Sequence, residues 1–142
     1  MRFLMLIFCA ATLLSSCSKD YDNEIEDYLA QKGITNAIRT DEGLYYVLDI
    51  AGSDEKPAID DNVVVNYTGR LTDDKVFDSG TNKTFNLTVV IAGWTRGMRY
   101  FGKGGKGKLI IPPSLGYGEV TQGTIPANSI LVFDIDLLDF YQ

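Results

Sequence analysis

The chain has 142 residues, of which 45% are hydrophobic and 23% are charged, and this length fits one globular domain but is too short for two. Its 13 basic and 19 acidic side chains give a formal net charge of -6, which argues against nucleic acid as a partner because phosphate binding requires a basic surface. The sequence has no histidine and has cysteine only at Cys9 and Cys17, which excludes His-dependent triads and His-ligated metals, so we expect no metal and no cofactor.

The first residues of the chain resemble an export sequence. Arg2 precedes an apolar run over residues 3–14, which is typical of a secretory signal peptide and shorter than the roughly 20 residues that span a bilayer. Leu14-Ser15-Ser16 then precedes Cys17, and small residues before a cysteine resemble the lipobox of bacterial lipoproteins. The resemblance implies cleavage after residue 16, lipidation of Cys17 and a membrane anchor at the bacterial cell envelope. The alternative is an ordinary signal peptide that happens to contain Cys17.

The segment that follows, residues 18–24, is polar and acidic. It resembles the signal that sends some outer-membrane lipoproteins to the cell surface, and it predicts an outer-membrane location with surface exposure. The alternative is a solvated spacer that holds the domain off the bilayer. The expected organisation is a signal peptide over 1–16, a lipid-anchored linker with a short helix over 17–43, and a folded domain over 44–142.

A short helix is predicted over residues 22–33, with Asp22 or Asn23 as its N-cap and Gly33 as its stop. Its apolar residues Ile25, Tyr28 and Leu29 share one face, which we expect to pack on the domain rather than on a partner. A stripe this small cannot support a coiled coil, so a monomer is expected.

Strand patterns dominate the remainder of the chain. They predict strands over 44–50, 62–69, 85–89, 106–111 and 129–138, and a short helix within 93–101. Acidic pairs at 60–61 and 73–74 read as solvated turns. Short strands without alternating helices favour an α+β fold with an antiparallel sheet.

A glycine-rich segment over 102–108 fits the start of a phosphate-binding loop, GxxxxGK. However, Leu109 stands where a Ser or Thr should bind magnesium, and a strand rather than a helix is predicted next. We therefore expect a flexible basic loop and no nucleotide site.

Aromatic residues are spread over several predicted elements, and composition alone predicts only that they form the core. The short sequence motifs around them are more specific. They occur in order at 65–71 (VNYTGRL), 76–79 (VFDS), 90–98 (VIAGWTRGM), 109–112 (LIIP), 116–118 (GYG), 125–126 (IP) and 131–138 (LVFDIDLL). Together they resemble the FK506-binding-protein (FKBP) family of peptidyl-prolyl cis-trans isomerases, over residues 44–140. The resemblance implies a bent antiparallel sheet of about five strands wrapped around one short helix.

The resemblance also implies a function and a site. The expected activity is proline isomerisation in polypeptide clients, and the alternative is a catalytically weak binding module or chaperone that uses the same pocket. The implied catalytic residues are Tyr67, Phe77, Asp78, Trp94, Tyr117 and Phe133, with Trp94 as the pocket floor. The implied substrate-binding residues are Phe85, Val90, Ile91 and Ile125, where the Ile91 backbone N–H bonds a ligand carbonyl.

The chain departs from the family pattern after Asp78. Many family members carry an Arg there that pairs with this Asp, but residues 79–84 are shorter and contain no Arg. Tyr67 is then the predicted partner of Asp78, with Lys83 as a flexible alternative. The segments at 87–89 and 120–124 are also shorter than usual, so binding of FK506-like macrolides is expected to be weakened while peptide turnover survives.

Overall fold

The computed structural model describes residues 20–142, so the predicted signal peptide over 1–16 and the predicted lipidation of Cys17 lie outside the described residues. The described part contains a six-stranded antiparallel sheet in the order β1-β2-β5-β6-β3-β4. The strands are β1 (Ile38–Arg39), β2 (Tyr45–Ile50), β3 (Asn62–Arg70), β4 (Val76–Asn86), β5 (Lys106–Ile111) and β6 (Leu131–Tyr141). No helix within residues 20–142 is long and apolar enough to cross a membrane.

The α+β class is confirmed, but the expected number of about five strands is wrong, because the sheet has six. The additional strand is β1, which pairs with Tyr45 and Tyr46 at the start of β2. The strand expected over 85–89 is also wrong. β4 ends at Asn86, and Leu87 begins a turn in which Val89 N–H donates to Asn86 O at 3.2 Å.

Helix α1 (Tyr21–Gln31) has its N-cap two residues before Asp22 and three before Asn23, the two caps expected from the sequence. Asp20 is the N-cap, since its backbone is extended and its carboxylate accepts a hydrogen bond from Asp22 N–H at 3.0 Å. The predicted apolar face is confirmed: Ile25, Tyr28 and Leu29 are buried against the sheet. Arg39 holds the start of the helix through Asp22 at 2.8 Å.

The sheet has two faces, which are named here by the helices that cover them. The back face packs under α1 and contributes Tyr45, Val47, Ile110 and Val132, with Ile130, just before β6, in the same cluster. The front face packs under α2 (Ala92–Gly97) and the 3₁₀ turn that follows it, Met98–Tyr100. Alternation along β3 places Val63, Val65 and Tyr67 on the front face. The large core therefore lies between the front face and α2.

Local chemistry explains two further features. β5 ends at Ile111 because Pro112 and Pro113 have no backbone N–H to donate to the sheet. The same strand begins at Lys106, inside the glycine-rich segment 102–108, where a phosphate-binding loop would be followed by a helix. The expectation that both acidic pairs are solvated is wrong for Asp61, which is only 6% exposed. Its carboxylate accepts a hydrogen bond from Ala58 N–H at 2.8 Å and closes the turn before β3.

Candidate active site

A cavity of about 630 Å³ opens on the front face. It is bounded by β3, β4 and β6, by α2 and the turn before it, and by the long connection between β5 and β6. Its lining residues are Tyr67, Phe77, Asp78, Phe85, Val89, Val90, Ile91, Trp94, Tyr117, Gln122, Gly123, Thr124, Ile125 and Phe133. The structure thus brings every catalytic and substrate-binding residue expected from the sequence to one cavity.

Trp94 is the centre of the aromatic wall. It is 4% exposed, and its ring meets Tyr67, Phe85 and Phe133 edge to face, with centroids 5.4, 5.5 and 5.3 Å away. Phe77 packs in the same manner on Phe133, with centroids 5.5 Å apart. Perpendicular packing of this kind contributes roughly 0.5–1.5 kcal/mol per pair beyond the burial of area. The wall is therefore a fixed surface of ring faces and edges.

Gly69 makes part of this wall possible. A Cβ atom there would lie 2.7 Å from the Phe77 ring and 2.8 Å from the Phe133 ring. Only a residue without a side chain lets the two rings meet over β3, so Gly69 is required by close approach rather than by its backbone angles.

Asp78 places the carboxylate at the cavity mouth. Its Oδ2 accepts a hydrogen bond from the Tyr67 hydroxyl at 2.9 Å, and its Oδ1 accepts one from Ser79 N–H at 2.9 Å. Among residues 20–142, no Lys or Arg forms an ion pair with Asp78. Asp78 is therefore bound by Tyr67, as the sequence predicts, and the alternative partner Lys83 forms no ion pair with it.

Tyr67 remains a neutral donor over the whole physiological range. Burial, the hydrogen bond to Asp78 and the charge of that carboxylate together raise the pKa of its hydroxyl from 10.0 to about 12, and burial is the largest of these causes. The Tyr67 hydroxyl therefore keeps its proton and can donate a hydrogen bond to the Asp78 carboxylate.

The turn before α2 supplies the remaining apolar wall. Thr95 Oγ1 donates to Leu87 O at 2.6 Å, which ties the helix to the turn that carries Val90 and Ile91. Ile91 O accepts from Trp94 N–H at 3.0 Å. Within the described chain, the Ile91 N–H has no hydrogen-bond partner, so it remains available to a ligand carbonyl.

Four lining residues were missed by the sequence-based analysis: Val89, Gln122, Gly123 and Thr124. Val89 is 80% exposed and stands in a turn. The other three form the tip of a small hairpin in which Gln122 and Ile125 exchange backbone hydrogen bonds of 3.0 and 2.9 Å. In the sequence, residues 120–124 stand out only as a shortened segment, and Ile125-Pro126 is the one motif in this hairpin that was assigned to the site.

The chemistry available in the cavity is limited. Within residues 20–142, no cluster of carboxylates could hold a metal ion, and the sequence has no histidine. What remains is an apolar, ring-lined surface with one hydrogen-bonded carboxylate, a free backbone N–H and the partly exposed Tyr117 hydroxyl.

The model of one family, FKBP-type peptidyl-prolyl cis-trans isomerase, matches residues 53–138. The chain belongs to this family. Among curated members, the FKBP-type isomerase FkpA of Escherichia coli (strain K12) is 46% identical over 118 residues, which cover 80% of this chain and 43% of that protein. The chain thus spans less than half the length of that relative.

Solved FKBP-type structures share the fold. The crystal structure of FkpA from Escherichia coli superposes with a TM-score of 0.76 at 42% identity, covering 85% of this chain and 59% of that one. A peptidyl-prolyl cis-trans isomerase from Pseudomonas syringae pv. tomato superposes with a TM-score of 0.75 at 31% identity, covering 84% and 92% of the two chains. The family's fold therefore extends over nearly all of the described residues.

Proposed function

We propose that this protein is a peptidyl-prolyl cis-trans isomerase that accelerates rotation about X–Pro bonds of polypeptide clients at the bacterial cell envelope. The observation that carries the proposal is the cavity itself, in which edge-to-face rings surround Trp94 and the Asp78 carboxylate accepts a hydrogen bond from Tyr67. Family membership supports the same reaction. Since the chain spans 43% of FkpA, the activity of that longer protein supports the proposal without deciding it.

Amide rotation needs no nucleophile, base or metal. The barrier is about 18–20 kcal/mol because the C–N bond has partial double-bond character. The planar amide is more dipolar than the twisted amide, which has lost its resonance. An apolar cavity that excludes water therefore destabilises the planar ground state relative to the twisted transition state, and only that difference accelerates the reaction. Each 1.4 kcal/mol of difference contributes about a tenfold rate increase.

The proposed residue roles are those that the family resemblance implies, and the presence of all these side chains in one cavity supports them. Trp94 forms the floor under the proline ring, and Tyr67, Phe77, Phe133, Val90 and Ile91 form the walls. Phe85 and Ile125 shape the rim. The Ile91 N–H bonds the client carbonyl, while Asp78 and the Tyr117 hydroxyl contact the neighbouring amides of the client.

A proline-limited peptide assay tests the function. The protein is added at catalytic concentration to a peptide whose cis X–Pro isomer is cleaved only after it becomes trans. We expect the slow phase to accelerate in proportion to enzyme, and to lose that acceleration when excess FK506 is added. Peptide binding without acceleration would identify a binding module instead.

Attachment to the envelope is the second part of the proposal. The support is the apolar run over 3–14 and the Leu14-Ser15-Ser16-Cys17 sequence, which together suit a signal peptide over 1–16 and a lipidated Cys17 that begins the linker over 17–43. Two or three acyl chains anchor a protein stably, because each buried CH₂ contributes about 0.8 kcal/mol. The domain over 44–142 would then act as a monomer at the outer membrane, on its surface if residues 18–24 direct export.

Detergent partition tests the anchor. The Cys17→Ala protein should move to the aqueous phase, while the parent and a Cys9→Ala control stay in the detergent phase. Equal partition of Cys17→Ala and the parent would show that Cys17 carries no anchor.

A further inference from the structure

Asn66 lies on the back face of β3, outside the cavity, and its side chain bonds both neighbouring strands. Its Oδ1 accepts a hydrogen bond from the backbone N–H of Asn82 on β4 at 2.8 Å. Its Nδ2 donates to Asp136 Oδ2 on β6 at 3.2 Å. Lys106 on β5 approaches the same Asp136 oxygen at 3.6 Å. A line of polar contacts therefore crosses the back face from β5 to β4, next to Tyr67.

The contact with β4 occurs at a β-bulge. Tyr67 pairs with Gly80, but Val65 pairs with Lys83, so Thr81 and Asn82 together oppose Asn66. Asn82 has φ of +53°, in the left-handed region that Asn tolerates better than most residues. Its backbone N–H bonds the Asn66 side chain instead of a ladder carbonyl. The side chain of Asn66 thus substitutes for the partner that the bulge removes.

The bulge decides which way β4 side chains face. Asp78 and Phe85 both line the cavity, although they lie an odd number of positions apart. Phe77 also lines it, but this residue falls at the second register shift, next to Asp78. In a regular strand, alternation would turn either Asp78 or Phe85 to the back face. The extra residue at the bulge restores the phase, so that Asp78 opposite Gly69 and Phe85 opposite Val63 share the front face.

The bulge also lies tightly against the cavity wall. A Cβ atom at Gly80 would be 2.7 Å from the Tyr67 ring, so β4 passes close to that ring and a side chain does not fit between them. A displacement of the bulge should therefore shift the Tyr67 ring and alter its hydrogen bond to Asp78.

We propose that Asn66 is a positioning residue for the proline site: its side chain fixes the bulge in β4, and the bulge holds Asp78 on Tyr67 and turns Phe85 into the cavity. The catalytic consequence rests on the proposed isomerase function, whereas the structural consequence does not.

The test is Asn66→Ala, which removes the acceptor for Asn82 N–H. We expect kcat/KM for the proline peptide to fall about tenfold, the scale of one lost hydrogen bond to a buried group. We also expect the pKa of Tyr67, about 12 in the parent, to fall as Asp78 moves away. Thr68→Ala is the matched control, since Thr68 is the next side chain on the same face of β3, and it should change neither quantity.

A rescue variant separates positioning from folding. Asn66→Asp combined with Asp136→Asn exchanges the two groups, so that position 66 keeps an acceptor, the pair keeps a donor and the total charge is unchanged. We expect this double variant to retain kcat/KM within about threefold and to retain the raised pKa of Tyr67. If Asn66→Ala does not fold, this double variant still tests whether the side chain at position 66 positions the site.

Two results would overturn the proposal. One is an Asn66→Ala protein with parental kcat/KM and a Tyr67 pKa of about 12. The other is a folded double variant that has lost both. A parent protein without isomerase activity would refute the proposed function instead, and the Tyr67 titration would still decide the role of Asn66.

Discussion

The Tyr67 hydroxyl donates a hydrogen bond of 2.9 Å to Asp78 Oδ2, which joins β3 to the neighbouring edge strand β4 at the mouth of the cavity. The phenol is 9% exposed, and the carboxylate faces solvent on its other side. The cavity thus has a solvent-exposed polar rim above a buried aromatic floor, and the Tyr67–Asp78 hydrogen bond lies at the boundary between them.

Asp78→Asn is expected to lower the pKa of Tyr67 from about 12, while leaving it above 10.0 because burial is the largest cause of the shift. Tyr45 is the internal control, since its own pKa of about 12 comes from burial, Asp22 and Glu26. NMR titration of labelled tyrosines measures both, with Tyr67→Phe to assign the signal. A Tyr67 pKa unchanged by Asp78→Asn would contradict the assigned causes.

The same pair predicts alkaline instability. Because the folded-state pKa of Tyr67 is raised, its stabilising contribution is complete below pH 10 and is lost as pH rises from 10 through 12. The loss amounts to roughly 2–3 kcal/mol of unfolding free energy. Urea unfolding of the parent and of Tyr67→Phe at pH 9 and pH 12 checks this, and the fall with pH should be smaller in Tyr67→Phe.

Trp94 is the only tryptophan in the chain, so all tryptophan emission reports on the cavity floor. We expect its fluorescence to change when a Leu-Pro peptide binds. Trp94→Ala should abolish peptide binding and destabilise the fold by about 3–5 kcal/mol. Met98→Ala is the control, because Met98 is fully buried in the same core without lining the cavity. It should destabilise by about 2–5 kcal/mol and leave peptide affinity unchanged.

This protein is expected to bind macrolides more weakly than a family member that carries an Arg after the motif corresponding to Phe77-Asp78. A carboxylate held by one phenol is less fixed than one held bidentately by Arg, and short segments around the cavity bury less of a bulky ligand. We expect a dissociation constant for FK506 at least about tenfold weaker, which corresponds to 1.4 kcal/mol, with peptide turnover retained. Equal FK506 affinity in the two proteins, titrated side by side, would refute this.

Helix α1 is expected to contribute to the stability of the domain. Ile25 is fully buried between the helix and the sheet, so Ile25→Ala should lower the free energy of unfolding by about 2–5 kcal/mol. Gln31→Ala, on the exposed side of the same helix, should stay within about 0.5 kcal/mol of the parent. Equal stability of the two variants would show that α1 is not part of the cooperative unit.

The cavity residues were expected from the resemblance of the ordered motifs to the FKBP family, whereas composition alone predicted only an aromatic core. The strands over 62–69 and 106–111 were expected from their own apolar patterns. β4 was different. Residues 79–84 are Ser, Gly, Thr, Asn, Lys and Thr, a composition typical of a loop, and they form a strand only because β3 pairs with them. The bulge at Asn82 also breaks the alternation by which a strand is recognised.

Other features depended on distant parts of the chain. β1 is two residues long and exists through its pairing with Tyr45 and Tyr46. Gln122, Gly123 and Thr124 carry no apolar pattern and reach the cavity because the hairpin that ends at Ile125 folds over it. Tertiary placement of this kind leaves no local trace in a single sequence.

The two open edges of the sheet bear on aggregation. β1 offers only a two-residue edge, and β4 is interrupted by register shifts near Tyr67 and again near Arg70. Short and bulged edges present few backbone groups in the even spacing that another strand needs. Under the proposed isomerase function, the protein meets extended client chains that could pair with an open edge. The short and bulged edges offer such a chain few backbone partners, which favours binding at the cavity over addition to the sheet.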